Sequence, residues 1–230
     1  MTPVVCVITD RRRGVLSRDM DRAADGPTGL DGLDRVDATV ARVRWAARAG
    51  AHLVQVRERD LEGGALVSLV RRCVDAVRGS RARVVVNDRL DVALAAGAHG
   101  VHLRAESMPA SRVRTVCPPG FLVGRSVHAR DEAVQAEANG GLDYLIFGTV
   151  FPTASKPGGP TAGLEALAGV VRAVRLPVLA VGGITADNLG NVGAAGAAGY
   201  AAIGLFVRES EAAVSEELAR AAAAFAGRAS

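Results

Sequence analysis

The stretch VLAVGGIT, residues 178–185, indicates the fold of this chain. A short apolar run without polar alternation is typical of a strand that is covered on both faces, as in a parallel sheet flanked by helices. The glycine pair Gly182-Gly183 ends this run, and Thr185 then opens a helical pattern. The same order recurs along the chain, so the sequence predicts repeated strand–helix units.

Eight apolar runs have this character, and amphipathic segments separate them. The runs occupy residues 4–8, 53–56, 84–86, 100–103, 121–124, 144–147, 178–181 and 200–203. In the first amphipathic segment, Val36, Val40 and Val43 recur at helical spacing, with Asp37 as the expected N-cap. Eight units in 230 residues predict an α/β chain forming a single (β/α)8 TIM-barrel domain over 1–230, although an open doubly wound sheet has the same alternation.

Composition narrows the class of protein. Hydrophobic residues make up 49% of the chain, enough for one large core, and aromatic residues make up only 3%, which leaves few rings to stack on bases. The net charge of +4 includes no dense basic run, so we expect phosphorylated small molecules as partners rather than nucleic acid. The sequence does not decide between a monomer and a homodimer.

Cysteine usage and hydropathy bear on the location of the protein. Cys6, Cys73 and Cys117 are widely spaced, which predicts a reducing environment without a disulfide framework. No apolar run reaches the roughly 18 residues of a membrane span, and no leader pattern precedes the first strand. We therefore expect a cytoplasmic protein that does not enter a membrane.

Two segments interrupt the regular spacing. Residues 11–35 are rich in Asp, Arg and Gly and are long for a strand-to-helix connection, which fits either an active-site loop or an insertion. Residues 154–163, ASKPGGPTAG, follow the sixth strand and fit an active-site lid. Because Lys156 is the only lysine of the chain, we predict a specific ammonium contact there, against the alternative of a solvated loop residue.

Polar residues follow several predicted strands, where a barrel concentrates its catalytic groups. Arg57 and Arg59 alternate after the second strand and would point the same way on an extended backbone. Together with Lys156 they predict a diphosphate site, unless nearby carboxylates pair with them. Asn87-Asp88 follows the third strand, where its oxygens suit Mg²⁺ on a substrate phosphate and Asp88 equally fits a helix cap.

Histidines and glycines supply further candidates at the strand ends. His128 follows the fifth strand and fits an acid or base, whereas His102 lies inside the fourth strand and fits a hydrogen-bonded core residue. Gly182-Gly183 lets backbone N–H groups approach a phosphate, although a tight turn would also use such a pair. Gly204 follows the eighth strand on the same side of the predicted barrel.

An ordered set of short motifs extends over nearly the whole chain: VITD at 7–10, QVRERD at 55–60, VNDR at 86–89, GVHL at 100–103, GRS at 124–126, DY at 143–144, FG at 147–148, PT at 152–153, Lys156 and VGGI at 181–184. As an ordered set, these motifs resemble the thiamine phosphate synthase and thiazole tautomerase family. The resemblance implies a barrel enzyme of thiamine biosynthesis. Its synthase branch joins 4-amino-5-hydroxymethyl-2-methylpyrimidine diphosphate to a thiazole phosphate, giving thiamine phosphate and diphosphate.

The resemblance also implies roles for individual residues. Asp88 would bind Mg²⁺, and Thr153 and Gly183 would contact the thiazole phosphate. The expected diphosphate contacts are Arg57, Arg59, Asn87, Ser126 and Lys156. His128 is a further candidate catalytic residue, and the remaining candidate substrate contacts are Gln55, Ser155, Ile203 and Gly204.

Some positions depart from the synthase pattern. Synthases usually carry Gly-Gln-Glu-Asp after the fourth strand, and the aspartate of that motif is a second metal ligand. This chain carries Arg104-Ala105-Glu106-Ser107 there, so Glu106 would have to take that role. Arg59 stands where a lysine is usual. Residues 124–128 resemble the tautomerase branch, but Thr149 replaces the histidine of that branch. We predict a synthase, with a thiazole tautomerase or a non-catalytic barrel that binds a thiamine precursor as alternatives.

Overall fold

A closed barrel of eight parallel strands forms the centre of the molecule in the computed structural model, which describes residues 2–12, 34–153, 158–204, 207–208 and 210–226. The strands are β1 (Val4–Ile8), β2 (Leu53–Val56), β3 (Arg83–Asn87), β4 (Gly100–Leu103), β5 (Leu122–Val127), β6 (Tyr144–Phe147), β7 (Val178–Val181) and β8 (Gly199–Ala202). Each strand pairs with the next, and β1 also pairs with β8 with Val5 opposite Tyr200. This last pairing closes the sheet, which confirms the predicted TIM barrel and excludes the open doubly wound alternative.

A helix follows every strand. The helices are α1 (Arg35–Arg48), α2 (Gly63–Ala76), α3 (Leu90–Ala95), α4 (Ala110–Arg114), α5 (Arg130–Ala138), α6 (Gly163–Ala173), α7 (Leu189–Ala194) and α8 (Glu211–Ala226). The expected cap of the first helix is wrong by one turn: Asp34, and not Asp37, accepts hydrogen bonds from the amides of Val36 and Asp37 at 2.8 and 2.7 Å. None of the helices in the described part of the chain is both long and apolar enough to cross a bilayer.

Successive side chains of each strand point to opposite faces of the sheet, and this alternation produces two apolar layers. One layer lies between the strands and helices, where residues such as Val54 and Val86 pack against Leu69 and Val70. The second layer fills the barrel interior with side chains of alternate strand residues: Cys6, Ile8, Leu53, Val85, Tyr144, Ile146, Leu179 and Ala201. The interior is therefore a packed core, and any ligand has to bind above it at the rim.

Tyr144 places a large polar ring inside this core, and Gly124 makes the space for it. A Cβ atom at Gly124 would lie 2.1 Å from Cζ of Tyr144, far inside van der Waals contact. The phenol points to His102, whose ring stacks on it with centroids 5.7 Å apart. These two polar residues connect the packed core to the rim.

Candidate active site

A cavity of about 560 Å³ opens at the carboxyl ends of the strands. Side chains from β2 to β5 line one side of it, and the segments that follow β6 and β7 line the other. The residues that line it are Ile8, Asp10, Gln55, Arg57, Arg59, Asn87, His102, Arg104, Ala105, Glu106, Ser126, His128, Ile146, Gly148, Thr149, Thr153, Val181, Gly182 and Ile203. This size and this mixture of apolar floor and polar rim suit a small-molecule ligand.

Arg57 and Arg59 supply positive charge to the cavity. Among the described residues, neither guanidinium group lies within ion-pairing distance of a carboxylate. Burial, followed by the charge of Arg59, lowers the pKa of Arg57, although a guanidinium remains protonated at any physiological pH. Asp10 and Glu58 act on Arg57 only through longer-range attraction, so two cations without an ion pair among the described residues are well placed to bind a polyanion.

Glu58 lies between these arginines but points away from the cavity. Its carboxylate accepts a hydrogen bond from the hydroxyl of Thr9 at 2.6 Å and from the amide of Arg11 at 3.2 Å. Burial raises the pKa of Glu58, and these hydrogen bonds oppose that effect. Thr9 also accepts from the amide of Arg57 at 3.0 Å. The Thr9–Glu58 contact therefore fixes the backbone of β2 and leaves both arginines facing the ligand.

Asp88 follows β3 and is held by the neighbouring strand. Its backbone has a φ of 61°, a left-handed conformation that aspartate tolerates better than most residues, and its amide donates to the carbonyl of His102 at 2.8 Å. The hydroxyl of Ser107 donates to Oδ1, and Nε of Arg104 lies 2.7 Å from Oδ2. Asp88 does not cap a helix, because α3 has Arg89 at its N-cap without a side-chain bond.

Arg125 fixes the loop that carries Arg104 and Ser107. Its guanidinium group donates to the carbonyl oxygens of Arg104 at 3.2 Å, Ala105 at 2.7 Å, Ser107 at 3.2 Å and Met108 at 2.5 Å. Burial lowers the pKa of Arg125, and the charge of Asp88 opposes that effect. One side chain thus satisfies four carbonyl groups of the loop and keeps Arg104 in place above Asp88.

The residues at Asp88 do not fit a divalent cation as they stand. Mg²⁺ requires oxygen ligands that are free to approach at about 2.1 Å. Both carboxylate oxygens of Asp88 already bind a donor, and one of these donors is a cation. Glu106 lines the cavity on an exposed side chain, and among the described residues no group of three His, Cys, Asp or Glu is arranged to hold a metal.

A buried chain of hydrogen bonds leads from the barrel core to the cavity. The hydroxyl of Tyr144 lies 3.3 Å from Nδ1 of His102, and Nε2 of that ring lies 2.9 Å from Oγ of Ser126. Burial is the main cause that lowers the pKa of His102 to about 3, so this histidine is neutral. Burial also raises the pKa of Tyr144 well above its usual value, so this residue remains a phenol.

The direction of this chain follows from the partners of Tyr144. His102 is the one acceptor that the described residues offer to the phenol, so a phenol that accepted instead would leave its own proton unsatisfied in the core. Tyr144 therefore donates to Nδ1, and neutral His102 carries its proton on Nε2 and donates to Ser126. The hydroxyl proton of Ser126 is then available to a ligand in the cavity.

His128 faces the cavity with a defined ring orientation. Its Nδ1 lies 2.5 Å from the carbonyl oxygen of Gly148, which can only accept, so this nitrogen carries a proton. The amide of His128 donates to Glu132 at 2.7 Å. In the neutral ring Nε2 is then an unprotonated acceptor, as a general base requires.

The opposite side of the cavity is built from close backbone contacts. The amides of Val150 and Phe151 donate to the carbonyls of Val181 and Gly182 at 2.9 and 3.1 Å. Gly183 has a φ of 64°, and a Cβ atom there would lie 2.4 Å from the carbonyl oxygen of Pro152. The loops after β6 and β7 therefore require the glycine pair for their own packing, and this packing sets the position of Thr153.

The structure brings together many of the predicted site residues at this one cavity. These are Gln55, Arg57, Arg59, Asn87, Glu106, Ser126, His128, Thr153 and Ile203. Asp88, Gly183 and Gly204 do not line it; Asp88 lies behind Arg104, and Gly183 lies beside Gly182, which does. Ser155 and Lys156 lie outside the described residues, as does most of the predicted 11–35 loop.

Sequence reasoning did not assign Arg104 and His102 to the site. In the sequence, Arg104 is notable only as a departure from a motif, and its partner Asp88 follows a different strand, β3. His102 was assigned to the core, where it is indeed buried and hydrogen-bonded, but its contact with Ser126 connects it to the cavity. Only the pairing of β3, β4 and β5 brings these residues together.

This arrangement defines a class of protein: a (β/α)8 barrel with a cationic cavity at the carboxyl ends of its strands, suited to phosphorylated small molecules. A family model described as thiamine monophosphate synthase matches residues 31–206. The chain therefore belongs to the thiamine monophosphate synthase family, as the motifs predicted.

Relatives and a solved structure agree with this family. The chain is 43% identical over 191 residues to a thiamine-phosphate synthase of Methanoculleus marisnigri, covering 80% of this chain and 90% of that one. It is 36% identical over 190 residues to a thiamine-phosphate synthase of Chlorobium luteolum, covering 82% and 78%. The solved thiamine phosphate pyrophosphorylase of Pyrococcus furiosus superposes with a TM-score of 0.76 at 32% identity and covers 97% of this chain and 96% of that chain.

Proposed function

We propose that this chain is a thiamine-phosphate synthase, a transferase that joins 4-amino-5-hydroxymethyl-2-methylpyrimidine diphosphate to a thiazole phosphate. The observation that carries the proposal is the pair of guanidinium groups, Arg57 and Arg59, which form no ion pair among the described residues and lie on the wall of a cavity that two phosphorylated substrates would share. The names of the relatives support the same reaction.

The two sides of the cavity suit the two substrates. β2 and β3, which end beside Arg57 and Asn87, lie across the ring from β6 and β7, which end beside Thr153 and Gly182. We place the diphosphate on the arginine side, with Asn87 and the hydroxyl proton of Ser126 as further donors. The thiazole phosphate then lies near Thr153 and the backbone of Gly183.

The residues present suit a dissociative transfer. The bond between the pyrimidine methylene carbon and the diphosphate oxygen breaks, and its electron pair leaves with the diphosphate. Positive charge on the leaving-group side, from Arg57 and Arg59, stabilises the developing anion. The lone pair of the thiazole nitrogen then forms the new bond to the methylene carbon. No protein nucleophile is needed, and the described residues need only to bind, orient and exclude water.

A thiazole tautomerase is the second candidate, and His128 favours it. His128 lines the cavity, and in its neutral ring Nε2 is an acceptor because Nδ1 carries the proton that binds the carbonyl of Gly148. A tautomerase needs such a base to move a proton on the thiazole carboxylate phosphate. Thr149, which takes the place of the histidine in that branch, also lines the cavity and carries no base.

One set of assays distinguishes these candidates. The purified chain is incubated with both synthase substrates, with Mg²⁺ and separately with EDTA, and thiamine phosphate is measured by chromatography. Formation of thiamine phosphate above the uncatalysed rate supports the synthase, and its absence under both conditions rejects it. Aromatisation of the thiazole tautomer without pyrimidine would instead identify a tautomerase. Tight binding of either substrate without turnover would identify a non-catalytic barrel that binds thiamine precursors.

We also propose that the chain acts in the cytoplasm, in line with its cysteine usage. Size-exclusion chromatography with light scattering decides between a monomer and a homodimer. A mass of one chain, 23.6 kDa, identifies a monomer.

A further inference from the structure

We propose that Arg104 takes the place of a divalent cation at Asp88, so that this chain binds diphosphate without a metal. The inference rests on the proposed function for the identity of the ligand. It concerns how the cavity supplies its third positive charge, next to Arg57 and Arg59.

The first observation is the way in which Asp88 is occupied. A carboxylate that held a cation for a substrate phosphate would have an oxygen free for that cation. Here Nε of Arg104 lies 2.7 Å from Oδ2, and the hydroxyl of Ser107 donates to Oδ1. A metal could approach Asp88 only after this ion pair and this hydrogen bond had been broken.

The second observation is what Arg104 leaves free. Its side chain is 57% exposed and lines the cavity, and its contact with Asp88 is made through Nε at 2.7 Å. Within the described part of the chain, its two terminal nitrogens have no hydrogen-bond partner. A guanidinium group anchored through one edge presents its remaining N–H donors in a plane that matches two phosphate oxygens. A bound metal with open coordination positions would also present positive charge at this place, although a divalent cation carries one unit more than a guanidinium group.

The third observation is that Arg104 is held in this position. Arg125 donates to four carbonyl oxygens of the 104–108 segment, and the amide of Arg104 donates to Oγ of Ser107 at 3.0 Å. Hydrogen bonds to both carbonyl and amide groups therefore hold the backbone of this segment in place. The backbone that carries Arg104 thus has little conformational freedom left to lose when an anion binds, which favours binding.

The central test is calorimetric titration of inorganic diphosphate into the full chain, in EDTA and in Mg²⁺. We expect binding in EDTA and no gain in affinity with Mg²⁺, after correction for the magnesium complex of free diphosphate. An affinity at least tenfold higher with Mg²⁺ would overturn the inference. Absence of binding under both conditions would overturn it as well.

Two variants and one control make the test specific. Arg104→Gln keeps a polar N–H donor but shortens the side chain and removes the charge, and we expect it to weaken binding in EDTA at least tenfold. The double variant Arg104→Gly with Ser107→Asp removes the guanidinium and adds a carboxylate, and we expect its binding to become dependent on Mg²⁺. Arg112→Ala, on the exposed face of α4, removes an arginine away from the cavity and should bind like the unaltered chain. Equal binding by Arg104→Gln and the unaltered chain contradicts the proposal.

Manganese binding gives a readout that does not depend on diphosphate. In electron paramagnetic resonance titrations with Mn²⁺ alone, we expect the unaltered chain to leave the free Mn²⁺ signal unchanged and the double variant to reduce it. Reduction by the unaltered chain, reversed by competing Mg²⁺, would overturn the inference. The synthase assay distinguishes failure of this inference from failure of the proposed function. Thiamine phosphate formed only with Mg²⁺ overturns the metal-free site but leaves the proposed function intact.

Discussion

The hydroxyl of Tyr144 lies 3.3 Å from Nδ1 of His102, inside the barrel and away from solvent. Since Nε2 of the same ring lies 2.9 Å from Oγ of Ser126, a residue in the packed core sets the proton position of a residue in the cavity. Tyr144 thus acts as a positioning residue, which affects the ligand only through His102 and Ser126.

In the Tyr144→Phe variant, His102 should lose its preference for the tautomer that carries the proton on Nε2. Without the phenol, the two neutral tautomers of His102 become similar in energy. Ser126 then donates its hydroxyl proton to the ligand only part of the time. We expect diphosphate affinity to fall less than about tenfold, a fraction of the loss of a hydrogen bond to a charged group. Nitrogen-15 NMR of labelled histidine reports the tautomer directly, and a proton on Nδ1 of His102 in the unaltered chain would refute the assignment.

Arg57 should contribute more to diphosphate binding than a surface charge does. Because Arg57 forms no ion pair within the described residues, Arg57→Ala should weaken binding by about ten- to a hundredfold, as expected for charge-assisted hydrogen bonds of about 1.5–3 kcal/mol. Arg57→Lys keeps the charge but not the planar donor pair, so we expect an intermediate loss. Calorimetry measures these affinities, with Arg112→Ala as the control. Equal affinities for Arg57→Ala and Arg112→Ala would place the anion elsewhere.

His102 should make the stability of the fold dependent on pH. Burial lowers its pKa from 6.5 to about 3, so between these values the unfolded chain binds a proton that the folded chain does not. Stability should therefore fall as pH decreases from about 6.5 toward 3, by at most about 1.4 kcal/mol per pH unit from this residue. Urea denaturation of the unaltered chain and of His102→Gln over this range measures the effect. Parallel curves for the two chains would show that His102 does not contribute.

The sequence was sufficient to predict the barrel, because parallel strands covered on both faces have a recognisable composition. Five predicted runs coincide with observed strands, and the other three, at 84–86, 121–124 and 200–203, differ from β3, β5 and β8 by one to three residues at their ends. Boundaries were less well predicted: β5 extends to Val127, so Arg125 and Ser126 belong to the strand and not to the loop after it. Closure depends on the pairing of β1 with β8, which is long-range and cannot be read from local patterns.

The site was predictable where its residues are local in the chain. Arg57 and Arg59 lie at alternate positions after one strand, so their common direction follows from backbone geometry alone. The contact between Arg104 and Asp88 was not predictable, since it depends on the register between β3 and β4, where Asn87 lies opposite His102. The sequence shows only that Arg104 departs from a motif, and the structure shows what the arginine contacts.

Gly124 should be among the least tolerant positions of the barrel interior. A Cβ atom there would lie 2.1 Å from Cζ of the Tyr144 ring, which is buried among core residues on all sides and has no space to move into. Gly124→Ala should therefore destabilise the fold by about 1–3 kcal/mol, the usual range for overpacking in a core. The displaced phenol should also lose His102, so the histidine NMR signals should change together with the thermal midpoint.

Gly64 in α2 provides the matched control for this substitution. A Cβ atom at Gly64 meets nothing within 4 Å, and alanine favours a helix over glycine by about 0.5–1 kcal/mol. Gly64→Ala should thus be neutral or stabilising in the same calorimetric scan. If Gly124→Ala were as stable as Gly64→Ala, the ring of Tyr144 would not be fixed against β5. The hydrogen-bond chain to Ser126 would then lack the rigid support that its single direction requires.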